Sequence, residues 1–321
     1  VGTELMDALE LTYQPSQLLG IPIALVGACF LSIGAQLQHH GVAKVESQTS
    51  DASSGLNLRQ LGLLLARPSW VIGTLLLGLA IVFQLVSLKL SPLILVQPLG
   101  VVGLVITSIL NARVSGVRLN RRSVVAVSLC VGGVGAFVLI AAVFARDVPV
   151  TSRSLIIILI ILAFVLLVFG SLFFFLRHRF KAIMYIVGAG VLYGFVATLA
   201  KVVIDRVSNN EWDWLLVLCI VALLAAAGLG AYFVQNAYSS GPPDLVIAGL
   251  TVIDPLVAVT IGIVVLDEAA GAPWWAMVGF ALTGAVAMYG VFQLAKYHPQ
   301  ASSETPPAAR VAETSTESGL D

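Results

Sequence analysis

Charge is what this chain has least of. Only 11% of its 321 residues are Asp, Glu, Lys or Arg, while 59% are apolar or aromatic, against about 25% and roughly 45 to 50% in an ordinary soluble domain. That shortage excludes a water-soluble globule. Seventeen basic residues balance seventeen acidic ones, so no net field recruits nucleic acid, and no nucleic acid is expected as a partner. Cysteine is scarce too. Cys29, Cys130 and Cys219 each sit inside an apolar run without C-x-x-C spacing, and read as packing residues rather than metal ligands or a disulfide framework. The four histidines, His39, His40, His178 and His298, fall at span ends or in the tail, with no metalloprotease or phosphate-loop spacing. The expectation is therefore no enzyme, no metal and no cofactor. Residues 1–17 contain Glu4, Asp7 and Glu10 but no Lys or Arg, so the basic n-region of a signal peptide is missing. The first apolar run is expected to stay as a span.

What the chain has in quantity is long apolar runs, and a bilayer-crossing helix needs about 20 such residues. Runs at 18–38, 69–88, 92–110, 123–144, 154–176, 182–204, 214–238, 245–266 and 274–295 predict an all-α polytopic membrane bundle of about nine transmembrane helices. Their length and lack of alternation exclude β spans. Ser91-Pro92 and Gly241-Pro242-Pro243 mark tight hairpins, since proline cannot continue a helix. Twelve Lys and Arg residues, among them Arg113, Arg118, Arg121, Arg122, Arg177 and Lys181, lie on one side. Four lie on the other: Lys89, Arg146, Arg153 and Arg206. Cytoplasmic loops are enriched in positive charge, which predicts an integral protein of the bacterial cytoplasmic membrane with its N-terminus outside and C-terminus inside. Trp70, Trp212, Trp214, Trp274 and Trp275 fall at span ends as interface anchors. The tail 297–321 has the polar composition of a disordered segment. Segment 56–66 reads either as a cytoplasmic extension of the second span or as a helix lying in the interface.

Internal similarity organises the spans. Gly27-Ala28 and His40 on the first match Gly188-Ala189 and Lys201 on the sixth. Gln97-Pro98-Leu99 matches Asp254-Pro255-Leu256, Gln84 matches Gln235, and Gly133 and Ala136 match Gly284 and Ala287. The division is residues 1–17 outside, a first repeat of four helices over 18–144, a linking fifth helix at 154–176, a second four-helix repeat over 182–295, and the tail. Partners five spans apart cross in opposite senses, giving the inverted topology of transporters with a midplane site.

These residues carry a resemblance. The stretch from Arg67-Pro68-Ser69-Trp70 to Leu95-Val96-Gln97-Pro98-Leu99, and the stretch from Ser240-Gly241-Pro242 through Thr251-Val252-Ile253-Asp254-Pro255-Leu256 to Leu266-Asp267-Glu268, resemble the drug/metabolite transporter superfamily, EamA-like proteins and the NIPA-type magnesium transporter branch included. The resemblance covers about residues 18–295 and implies alternating-access transport. Two departures stand out: the superfamily's usual tenth span is absent, and Asp254 occupies the place of a common glutamate.

Ionisable groups inside a bilayer are costly, by about 2.5 to 3.5 kcal/mol each on insertion scales, so they line a cavity or meet a partner. The candidate substrate-binding residues are Gln36, His39, His40, Gln84, Gln97, Lys201, Gln235 and Asp254. Pro98 and Pro255 are expected to break their helices and free backbone carbonyls. Lys201 either snorkels to the interface, pairs with Asp205 at i+4, or presents a cation to an anionic or carbonyl-bearing cargo. Asp254 supplies proton coupling or a hydrogen bond, or is a structural carboxyl bonded to a nearby carbonyl or hydroxyl. Gln36, His39 and His40 share one helical face as a polar entrance or as water-facing interface residues. Gln84, Gln97, Gln235 and Asn236 contribute to the site or simply join helices, and Gly190 and Gly194 permit close helix contact.

Three functions are weighed: a secondary transporter of a small organic, amphiphilic or lipid-linked cargo, magnesium transport, and a non-transporting scaffold for lipid or envelope assembly. The partners expected are membrane lipid, a small-molecule or lipid-like substrate and a coupling proton.

Overall fold

The computed structural model describes residues 15–46, 64–114, 121–176, 182–240 and 243–297. The acidic N-terminal residues Glu4, Asp7 and Glu10, most of segment 56–66, His178, His298, the side chain of His39 and the tail beyond 297 lie outside the described residues. Within them there is no strand, and nine helical spans are long and apolar enough to cross a bilayer. The protein is an all-α polytopic integral membrane protein.

The helices are α1 (Gly20–Glu46), α2 (Pro68–Leu90), the short α3 (Leu93–Val96), α4 (Gly100–Val114), α5 (Arg121–Phe144), α6 (Ser152–Leu176), α7 (Ala182–Ser208), α8 (Trp214–Ser240), α9 (Pro243–Val264) and α10 (Trp274–Tyr297). Proline punctuates them as its chemistry requires. Pro68 opens α2, where a missing N–H is harmless. Ser91 and Pro92, both extended at ψ, turn the chain into α3.

The third span consists of α3, a 3-10 turn at Gln97–Leu99 and α4. Pro98 has no N–H for the Ile94 carbonyl, and the chain tightens there. Pro255 behaves differently from expectation: α9 runs unbroken from Pro243 to Val264 with the proline inside it. One lost donor, at the Thr251 carbonyl, is tolerated within an otherwise regular membrane helix.

Packing repeats in the two halves. Helix α1 lies against α2 and α4, α7 lies against α8 and α9, and α5 packs against α10. The α5–α10 crossing is reciprocal. A Cβ on Gly133 would stand 2.6 Å from the Ala287 nitrogen, and one on Gly290 would stand 2.6 Å from the Cys130 nitrogen. A single sequence offset relates Pro98 to Pro255, Cys130 to Ala287 and Gly133 to Gly290. Gly284, the residue matched to Gly133 in the sequence, meets only the Phe137 ring at ordinary distance. Gly190 and Gly194 do permit a close helix contact, with Cβ positions 2.7 and 2.6 Å from Ile253 and Val257 of α9.

The linking helix α6 is peripheral. It buries Leu155, Ile158 and Leu162, a stripe at helical spacing, and leaves Ile160, Phe164 and Leu167 exposed on its other faces. Helix α7 is its opposite, with buried residues distributed along it from Ala182 to Arg206. The exposed rings of Trp212, Trp214, Trp274 and Trp275 stand at or beside helix starts.

Candidate functional site

Two clusters of buried polar groups stand out among the described residues. The first is the end of the bundle that carries the turns at 91–92, 145–151, 209–213 and 265–273. Lys201, 5% exposed on α7, donates to the Ser91 carbonyl at 2.9 Å, the Leu88 carbonyl at 3.4 Å and Asp147 Oδ1 at 2.7 Å, and stands 3.7 Å from Glu268 Oε1. Glu268, 1% exposed, accepts from the Leu93 and Ile94 amides at 2.9 and 3.0 Å. It thereby satisfies donors that the start of α3 leaves without helical partners.

The 265–273 turn is shaped for this. Asp267 takes a left-handed φ of 56°, the Glu268 amide donates to the Gly262 carbonyl, and the Arg146 amide donates to the Glu268 carbonyl at 2.7 Å. Gly262 leaves room for the carboxylate: a Cβ there would stand 2.8 Å from Glu268 Oε2. Burial pushes the Glu268 carboxyl above the usual carboxylate range. Lys201 and the two amides pull it back, while Asp147 adds to the rise.

Asp205 is not the partner of Lys201, although it sits four residues on. Its carboxylate accepts from the Val150 amide and from Asn209. Long-range geometry prevails over the i+4 spacing. Arg206 lies at the same end, buried and paired with Asp213 at 2.7 Å and Glu211 at 3.3 Å. The first span is tied to this end as well: Ser87 of α2 donates to the Gly20 carbonyl at 2.8 Å, and Ser91 donates to the Gln17 carbonyl.

The second place is beside the two prolines. Gln97 is 6% exposed and its Nε2 has no partner; the buried Oδ1 of Asp254 has none either. Both residues immediately precede a proline, and Pro98 and Pro255 line one cavity of about 240 Å³ between α4, α5, α9 and α10. Its other walls include Val134, Phe137, Leu256, Phe280 and Met288. Thr251 and Thr260 also line it, but their hydroxyls donate to the Ile247 and Leu256 carbonyls one turn back. Asp254 sits on the neighbouring face of α9, where its backbone meets Gly190 and Gly194 and Tyr193 of α7 lies nearby.

The remaining expected residues scatter. Gln36 is half-buried and His40 exposed toward the far end of α1, roughly 30 Å along the axis from the Lys201 end at 1.5 Å per residue. A single head group therefore does not bridge Lys201 and His40. Gln84 is half-buried on α2, and Gln235 is exposed on α8. Asn236 donates to its own helix at the Tyr232 carbonyl. Among the described residues no three His, Cys, Asp or Glu side chains converge to hold a metal ion. Glu268 and Asp147 were not expected as site residues. Only the closing Leu266-Asp267-Glu268 motif hinted at the first, and no local pattern marks the second.

No family model matches the chain, and no solved structure matches it. An uncharacterized protein of Corynebacterium glutamicum is 26% identical over 264 residues, spanning 79% of this chain and 86% of that one.

Proposed function

We propose that this protein is a secondary transporter of the drug/metabolite type, moving a small organic cargo with an apolar portion by alternating access of two inverted halves. The observation that carries the reading is the pair of buried, unpartnered polar atoms at Gln97 and Asp254, each beside a proline of a shared cavity. A buried polar atom left without a partner destabilises by about 1 to 3 kcal/mol. Arg206 also has two unpartnered nitrogens but carries its charge on Asp213 and Glu211. Gln97 and Asp254 each keep one such atom beside the shared cavity, which supports a ligand role for them. Gln97 offers a donor and Asp254 an acceptor or a transferable proton. The adjoining cavity, nearly free of available polar groups, suits the cargo's hydrocarbon. The matched packing of α1, α2, α4 with α7, α8, α9 and the reciprocal α5–α10 crossing support two halves that move as units. Charge distribution favours a cytoplasmic membrane with the Lys201 end outside.

The test is purified protein in liposomes, assayed for movement of labelled amphiphilic metabolites and of magnesium with and without a proton gradient. Uptake or efflux of an amphiphile, abolished in Asp254→Asn with folded yield intact, supports the proposal. Movement of magnesium alone, or unchanged rates in Asp254→Asn and Gln97→Met, overturns it.

A further inference from the structure

We propose that Lys201, Glu268 and Asp147 form a releasable latch that holds one end of the bundle shut. The inference rests on the transport reading and adds the element whose opening admits or discharges cargo at that end.

The latch is built across the halves. Lys201 belongs to α7 in the second half, yet the Leu88 and Ser91 carbonyls belong to the first, and Asp147 to the connection that leaves it. Glu268 follows α9 in the second half and binds the first two amides of α3 in the first half. Two further bonds cross beside them: the Arg146 amide to the Glu268 carbonyl, and the Val150 amide to Asp205. All but the Lys201–Leu88 bond, which meets the last turn of α2, involve a connection between spans. If the halves rock apart at this end, this whole set must part together.

The composition of the latch suits release. A static staple is served better by well-packed hydrocarbon, which commonly equals or exceeds a buried ion pair in stability. An ion network instead has an alternative state of comparable energy once water enters. Asp147 provides the route: its side chain is 35% exposed while that of Lys201 is 6% exposed, so solvent reaches the pair from the Asp147 side. The Glu268 carboxylate also bonds α3 directly above the 3-10 turn that contains Gln97 and Pro98. Release of Glu268 therefore frees the start of the segment that carries one of the two unpartnered site residues.

The experiment replaces the latch by a covalent one. Arg146 and Asp267 are exposed on the two facing connections and are not themselves latch side chains. Their backbones are brought together by the Arg146 amide to Glu268 carbonyl bond. Arg146→Cys/Asp267→Cys in the full-length protein, oxidised in liposomes, is expected to lose at least tenfold in transport and to recover with dithiothreitol, each single cysteine variant being insensitive. Transport by the cross-linked protein at the reduced rate overturns the latch while leaving the transporter reading standing.

Hydrogen exchange read by mass spectrometry gives a second arm that needs no cargo. Lys201→Gln and Glu268→Gln are expected to speed exchange of the amides at 88–96, 145–150 and 265–272 by tenfold or more, with the amides at 232–240 unchanged. Unchanged exchange at the three connections overturns the latch whether or not any cargo moves. Uniformly faster exchange throughout the protein also overturns it, since that marks a general fold contact.

Discussion

Glu268 stands 3.7 Å from Lys201 with its carboxylate already accepting from the Leu93 and Ile94 amides. Four segments distant in the chain thus share one buried charge centre, and its members are not equally replaceable. Removing Glu268 strands an almost fully buried ammonium and two amides. Glu268→Ala is expected to destabilise by about 3 to 5 kcal/mol, the range for breaking a buried pair. Asp147 is a third exposed, and its replacement by Asn is expected to cost about 1 kcal/mol or less. Thermal unfolding in detergent measures both, and a larger loss for Asp147→Asn than for Glu268→Ala contradicts the assignment.

Gly262 gives an independent check on the same turn. A methyl group there would stand 2.8 Å from Glu268 Oε2 and 3.4 Å from the Leu93 side chain. Gly262→Ala is therefore expected to behave like a weakened Glu268, lowering the unfolding midpoint despite alanine's better helix propensity. Gly228→Ala on α8, where nothing lies within 4 Å of the added carbon, is the control and should hold or raise the midpoint. Equal midpoints for the two variants would remove the proposed close approach.

The α5–α10 crossing predicts sharp sensitivity at two glycines. At Gly133 and Gly290 the obstacle is partner backbone at 2.6 Å, which cannot rotate aside. Either residue changed to Val is expected to cost 1 to 3 kcal/mol or more through overpacking, seen as lost monodisperse yield in gel filtration. Gly132→Val and Gly135→Val, which meet nothing within 4 Å, should be tolerated. A reversal would place the crossing elsewhere.

The spans were legible because length and hydropathy decide them. Each of the nine runs read from the sequence has a helix over it, from Gln17–Val42 to Trp274–Leu294. Pro98 was legible as a distortion. Pro255 was not legible as a residue inside a continuous helix, since a proline's ring looks the same in sequence whether the neighbouring helices absorb it or not. The Lys201 network was hidden for a different reason. Local spacing offers Asp205 as a partner one turn away, whereas Asp147 and Glu268 reach Lys201 only because α5, α7 and α9 end together. Gln97 and Asp254 were legible as polar residues placed before prolines in apolar runs, a signal that is local. That they lack partners is a property of the fold alone.

Stability and function should separate at Gln97. If Gln97 merely joined helices, replacing it with an apolar residue would weaken the bundle. Its Nε2 is instead buried without a partner, and exchanging such a group for an apolar one of similar shape is neutral or stabilising. Gln97→Met is therefore expected to leave the unfolding midpoint unchanged or raise it by a few degrees, while lowering transport of an amphiphile at least tenfold. Sites retained for a ligand commonly carry this opposition between stability and activity. The two measurements are made on the same purified protein, thermal unfolding in detergent and flux in liposomes. A fall in midpoint with flux unchanged assigns Gln97 to structure, and the cargo site would then have to be sought without it, beside Asp254 and Tyr193 on the α7 face of α9.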